Sequence, residues 1–193
     1  HGYIRGGQAI RTWTSLAPNP TKRRELGCVA LQGRLYTMGG WGQNGSIAAA
    51  EIYDPVFDRW VSGAPVPTAG STWAAGVGTW AYTAGTNNHA LGTTRAGFVT
   101  ERAGLPVAVS GSGLVIVRKQ VLSIGGGDGT AQALADVNAI PLVENVRANT
   151  DDPFDLRRTW AAREALPVPL RDFACIEWND KGGVLHWTHK TLR

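Results

Sequence analysis

Few side chains in this 193-residue chain stand at spacings that do chemistry. The histidines are His1, His89, His186 and His189. His186-Trp187-Thr188-His189 has an HxxH spacing, but the stretch reads as a strand and its end, where residues three apart face opposite sides. A metal site needs three or four convergent ligands, and the sequence offers none near this pair. Cys28 and Cys175 are too few for a disulfide framework and lack CxxC spacing. Asp151-Asp152 precedes Pro153 and reads as a solvated turn. Gly125-Gly126-Gly127-Asp128-Gly129 opens no evident helix, which a phosphate cradle requires. There is no GxSxG elbow. The reading is therefore of a chain with no catalytic site, no metal and no cofactor.

The composition narrows the class further. Apolar residues at 43% against charged residues at 18% describe a folded chain. Twenty-five glycines and ten prolines mark many turns, which favours short strands over helices. The net charge is +4, but the basic residues are scattered, apart from Lys22-Arg23-Arg24 and Arg157-Arg158. A nucleic-acid binder concentrates such charge in a stripe, so that partner is disfavoured. No apolar run approaches the roughly 20 residues that span a bilayer. No signal peptide is visible, and the chain begins with His1, as a processed, trimmed or partial protein would. The sequence assigns no compartment.

The elements come in repeats. Gly33-Arg34-Leu35-Tyr36-Thr37-Met38-Gly39-Gly40 aligns with Gly78-Thr79-Trp80-Ala81-Tyr82-Thr83-Ala84-Gly85. It aligns also with Lys119-Gln120-Val121-Leu122-Ser123-Ile124-Gly125-Gly126, and Gly2 to Gly7 is a partial copy. A second register sets Trp13, Trp60 and Trp160 before proline-rich turns at Ala17-Pro18, Ala64-Pro65 and Leu166-Pro167. A third aligns Arg24 to Leu31 with Arg171 to Trp178, which puts Cys28 and Cys175 at equivalent places, each read as a small buried hydrophobe. In the best copy strand A spans Leu26 to Gln32 and strand B Arg34 to Met38. Strand C spans Ala48 to Tyr53, and strand D surrounds Trp60. Asp54-Pro55 ends strand C. One such sheet cannot bury both faces alone, and radial stacking of the repeats supplies the burial.

Residues 26–67 resemble the kelch repeat: an apolar run, a glycine doublet, a tyrosine, and a tryptophan about seven residues later. The resemblance implies an all-β, kelch-like β-propeller of about four blades, or part of a larger propeller. The blades are read at about 24–60, 68–104, 109–160 and 171–193, the last completed by residues 1–13, in a single domain of residues 1–193. The stretch from Ala139 to Pro153 is read as an insertion. Galactose oxidase, a copper enzyme of this superfamily, has a Tyr-His ligand pair, and no Tyr-His dipeptide occurs here.

In such a propeller the D–A and B–C loops share one face. That face is expected to carry Arg23, Arg24 and Arg171 from the D–A loops, and Trp41, Gln43, Asn44, Asn88, His89 and Asp128 from the B–C loops. Exposed arginines, a tryptophan and amides suit a protein or a glycan partner. The expected function is a non-catalytic interaction or structural module, a subunit of a hetero- or homo-oligomeric assembly. The competing expectation is a glycan or small-molecule site at the propeller axis, lectin-like or enzymatic.

Overall fold

The computed structural model describes residues 2–3, 9–10, 13–70, 72–77, 80–85, 89–92, 97–101, 104–106, 111–127, 132–142, 159–171, 174–178 and 181–185. Every regular element among them is a strand. In chain order these are β1 (Gly2–Tyr3), β2 (Ala9–Ile10), β3 (Gly27–Leu31), β4 (Arg34–Met38), β5 (Trp41–Gly42) and β6 (Gly45–Ser46). They continue with β7 (Ala50–Asp54), β8 (Arg59–Gly63), β9 (Thr72–Val77), β10 (Trp80–Gly85), β11 (His89–Gly92) and β12 (Gly97–Glu101). The last six are β13 (Gly113–Val117), β14 (Gln120–Ile124), β15 (Val137–Pro141), β16 (Ala161–Ala162), β17 (Ala174–Trp178) and β18 (Lys181–Leu185).

Three antiparallel four-stranded sheets follow, ordered β3-β4-β7-β8, β9-β10-β11-β12 and β13-β14-β15-β16. We call them blades 1 to 3. β17 pairs with β18 as the start of blade 4. β1 pairs with β2 as a separate ribbon, so no ladder joins the two ends of the chain among the described residues. The inner strands pack in succession, β3 on β9, β9 on β13, and β13 on β17. β15 opens at Val137 and takes up Ala139 to Pro141, so the first residues read as an insertion are the third strand of blade 3.

Each sheet is buried by its neighbours because strand residues alternate between faces. Val29, Leu31, Tyr36 and Met38 of blade 1 pack against Ala74 and Ala81 of blade 2. The opposite face of blade 2, with Ala75, Trp80, Tyr82 and Ala84, packs against Leu114, Ile116, Val121 and Ile140 of blade 3. Val115, Val117 and Ile124 then meet Cys175 of blade 4. Blades 1 and 2 come close: a Cβ on Gly76 would lie 2.5 Å from Leu31 Cδ2 and 2.7 Å from Val29 Cγ2. Tyr82 of blade 2 meets Trp160 of blade 3 edge-on at 5.9 Å, so this aromatic pair fills an inter-blade wedge.

The ladders also correct one repeat register. Leu31 pairs with Arg34 across a two-residue turn, and Val77 pairs with Trp80. Tyr82 therefore takes the place of Tyr36, not of Thr37. The glycine-on-glycine alignment was one residue off because a two-residue hairpin turn of this kind needs positive φ at both central positions, and a glycine serves at either. In blade 1 the pair is Gln32 and Gly33, at φ 49° and 74°. In blade 3 it is Arg118 and Lys119, at 47° and 59°, without glycine.

The glycine doublets do different work. Gly39 and Gly40 have φ of 65° and 100°, and Gly125 and Gly126 have 56° and 107°. Their amides leave the ladder and reach sideways. Gly39 N–H donates to Ala49 O and Gly40 N–H to Gly70 O, while Gly40 O accepts from Ile47 N–H. In blade 3 Gly125 donates to Asp136 O and Gly126 to Leu170 O, while Gly126 O accepts from Leu134 N–H. Val66 N–H to Ala48 O recurs as Leu166 N–H to Ala135 O. The doublet thus ties its own sheet to the linker that starts the next.

Two substitutions separate these roles. A Cβ on Gly40 would sit 2.6 Å from the Arg24 carbonyl oxygen, so Gly40→Ala should cost about 2 kcal/mol or more. Lys119→Gly relieves a left-handed lysine and should gain up to ~1 kcal/mol. Urea unfolding midpoints check both.

Candidate functional site

The loop face of blade 1 is the best-described part of the predicted partner surface. The B–C connection is not a plain loop. Trp41 pairs with Ser46 and Gly42 with Gly45, which makes a small hairpin with Gln43 and Asn44 at its tip. The hairpin lies over the D–A connection, where Trp41 N–H donates to Arg24 O and Arg24 N–H to Trp41 O. A Cβ on Gly42 would strike Ile47 Cδ1 at 2.7 Å, so a bare residue lets the ribbon lie down. Trp41 is left 39% exposed. The Arg24 side chain is 73% exposed, with Nε 3.3 Å from Glu25 Oε1. Lys22, Gln43 and Asn44 are exposed beside them.

Arg23 belongs elsewhere. Its side chain is only 1% exposed, so it is not a loop-face residue, which corrects the sequence reading. Nη1 donates to Gly39 O at 2.9 Å and to Ala49 O at 2.5 Å. Nη2 donates to Thr37 Oγ1 at 2.9 Å and to Glu51 Oε2 at 2.5 Å. The Thr21 hydroxyl donates to the other Glu51 oxygen. Asn19 Nδ2 reaches Thr37 Oγ1 at 3.1 Å. Burial pulls the Arg23 guanidinium below its ordinary pKa, and the Glu51 charge opposes that pull. The physical reason for the misplacement is alternation: Lys22 and Arg24 face out and Arg23 faces in. The available signal was Glu51, a charge set within the apolar run Ala48 to Tyr53 that must find a partner.

A second cluster fixes the same segment. The rings of Tyr53 and Trp60 lie 5.1 Å apart, tilted by 42°. Trp60 Nε1 donates to Ala17 O at 2.8 Å, and Ala17 N–H donates to Asp58 Oδ1 at 2.8 Å. Tyr53 hydroxyl donates to the same Asp58 oxygen at 2.6 Å. Residues 17–21 are therefore strapped over the outer half of blade 1, on the face carrying Thr37, Glu51, Tyr53 and Trp60. The Tyr53 hydroxyl is pushed up to about 12, first by its bond to Asp58 and then by burial and nearby carboxylates. Asp58 is pulled down by the bonds from Tyr53 and Ala17.

The other predicted residues spread out or fall beyond description. Arg171 is exposed at the entry to blade 4. His89 opens β11, with its backbone opposite Thr83. Asn88 and Asp128 lie outside the described residues, as do His1, His186, His189 and Asp151-Asp152. Cys28 and Cys175 are free thiols. Cys28 is exposed, not the buried hydrophobe expected, because it faces away from blade 2. Burial pushes the Cys175 thiol up to about 11, the opposite of activation. Among the described residues no three His, Cys, Asp or Glu side chains are placed to hold a metal. Among them also no helix is long and apolar enough to cross a membrane.

Comparison with known proteins agrees with this geometry. Residues 22–67 match the Kelch motif. Beta-scruin of Limulus polyphemus is 34% identical over 59 residues, which cover 30% of this chain and 6% of that protein. An F-box/kelch-repeat protein of Arabidopsis thaliana is 38% identical over 52 residues, 26% of this chain and 14% of that protein. The chain thus matches a small part of either relative. Among solved structures, that of YjhT superposes with a TM-score of 0.71 at 15% identity, over 90% of this chain and 62% of that one. The fold is a kelch-like β-propeller, and its first blade carries a kelch motif.

The two clusters make separate predictions. Arg23→Ala leaves Glu51 buried and unpaired and should cost about 3–5 kcal/mol. Arg24→Ala, at an exposed pair, should stay within ~0.5 kcal/mol. The Tyr53 bond stabilises fully below the ordinary tyrosine pKa of 10.0 and is lost as pH rises toward about 12. The Asp58 bond is present above the ordinary aspartate value and is lost as pH falls through its lowered one. Tyr53→Phe should flatten the alkaline limb of the unfolding free energy measured against pH.

Proposed function

We propose that this chain is a non-catalytic interaction module that holds another protein against the loop face of its first blade. The observation that carries this reading is the Trp41–Ser46 hairpin. A tryptophan is kept partly exposed there, and its backbone is locked to that of an exposed arginine. An immobilised aromatic beside an arginine and two amides loses little entropy on binding, which is the profile of an interface anchor. Arg24, Trp41, Gln43 and Asn44 are the contact residues of this proposal, and Lys22 adds charge at its edge. The kelch-repeat relatives support an interaction role through their shared motif. Such a surface would suit a subunit of a larger assembly.

Affinity enrichment from the source proteome with matched variants tests this. A protein should be retained by the native chain and lost by Trp41→Ala, with the unfolding midpoint unchanged. Truncating an interface anchor of this kind should weaken binding about 30-fold or more. Retention that Trp41→Ala leaves intact, or binding of glycans alone on an array, would reject the reading.

A further inference from the structure

The turn between the first and second strands of a blade makes the same backbone demand each time, and blade 3 answers it with unusual residues. A two-residue hairpin turn of this kind needs positive φ at both central positions. Glycine enters that region freely, and a side chain strains it. Blade 1 uses Gln32-Gly33. In sequence the paired Val77 and Trp80 enclose Gly78-Thr79, and the paired Trp178 and Lys181 enclose Asn179-Asp180. Each of these three pairs includes a glycine, an asparagine or an aspartate, the types that suit such a turn. Blade 3 has Arg118-Lys119, at φ 47° and 59°. Strain of this sort persists only where the surroundings impose it. Here Val117 pairs with Gln120 to close the turn, and Lys119 O accepts from Leu142 N–H at 2.8 Å. Leu142 is buried, so the turn is clamped to its blade.

The fold gains nothing from these two side chains. Both are exposed, and among the described residues no carboxylate pairs with either. Arg34, which follows the blade 1 turn, instead lies 3.3 Å from Asp54. A third base stands close by in blade 3. Arg163 is exposed, and its Nη2 lies 3.5 Å from Oε1 of Gln120, the residue that follows the turn. Gln120 is neutral and leaves that charge uncompensated. Glu164, exposed next in the chain, forms an ion pair with none of the three. β14 begins at Gln120 and runs into Gly125-Gly126. The turn therefore sits at the opposite end of the blades from the Trp41 hairpin, which follows the other glycine doublet.

We propose that Arg118, Lys119 and Arg163 form a second interaction surface, which takes an acidic segment of a protein partner. Their shared sign selects an anion, and carboxylates match guanidinium donors in charge and geometry. A short acidic segment suits three clustered charges, whereas a nucleic-acid backbone calls for a longer basic track. The clamped turn holds the backbone of two of the three bases in place before binding, which lowers the ordering cost. The residues are separate from those of the loop face, and the inference does not rest on that reading.

Titration of a fluorescein-labelled oligoglutamate peptide, read by anisotropy, provides the test. The native chain should bind it and release it as salt rises. Arg118→Asn combined with Lys119→Gly installs favoured turn residues. This double variant should raise the urea midpoint and yet weaken binding about tenfold. A turn with a structural role alone would gain stability and leave binding unchanged, and that result overturns the proposal. Arg163→Ala should also weaken binding, at an unchanged midpoint, which keeps the test independent of the turn. Arg34→Ala combined with Arg59→Ala removes the same net charge from blade 1 and should leave binding within ~twofold. An equal loss from both double variants reports attraction to net charge and overturns the proposal. So does a native chain that ignores the peptide, or one that binds a single-stranded oligonucleotide more tightly at the same salt.

Discussion

The structure depends on a turn made by two glycines in a row, the second of which leaves no room for a side chain. At Gly39-Gly40 and Gly125-Gly126 the chain turns through positive φ and sends its amides out of the sheet. One amide fastens the start of the third strand, and the next fastens the linker that enters the following blade. A side chain at Gly40 would collide with the Arg24 carbonyl. The doublet is therefore where a strand hands over both to its own sheet and to the next. The same set of backbone bonds appears in blades 1 and 3, whose linker sequences differ, because the bonds require conformation and not side chains.

From that junction the two roles of the D–A segment separate. Its backbone runs beside the Trp41 ribbon and keeps Arg24 outside. Its alternate side chain, Arg23, goes inside and closes a polar cluster with Thr37, Glu51 and Thr21. A buried ion pair of this kind contributes less to net stability than to uniqueness, since either partner alone is costly to bury. Here it has a geometric effect. It holds the strap against blade 1 one residue before the Arg24 backbone that pairs with the exposed hairpin.

Much of the architecture was legible in the chain because it rests on local backbone demands. The glycine doublets, the Asp54-Pro55 break and the tryptophan before each proline turn are short-range signals that repeat. They located strands 27–31 and 34–38 nearly to the residue. Less legible were features that depend on which way a side chain turns. Lys22-Arg23-Arg24 reads as a basic loop cluster, yet one of the three is interior. Trp41 to Ser46 reads as a loop, yet it folds on itself. Glycine was a poor guide to phase in the second repeat, where the pairing of Val77 with Trp80 sets Tyr82 in the place of Tyr36.

Taken alone, the sequence determined the class of fold, the repeat and the approximate strands. These follow from period-two patterning and turn chemistry, which act over a few residues. Only the tertiary structure decided which charges are buried, where two blades approach most closely, and where an aromatic stays in water. Those properties arise between elements far apart in the chain: Arg23 with Glu51, Val29 with Gly76, Tyr82 with Trp160. The doublet at Gly39-Gly40 belongs to both. Its residue types announce a turn, and its partners at Ala49 and Gly70 make that turn the joint between blades.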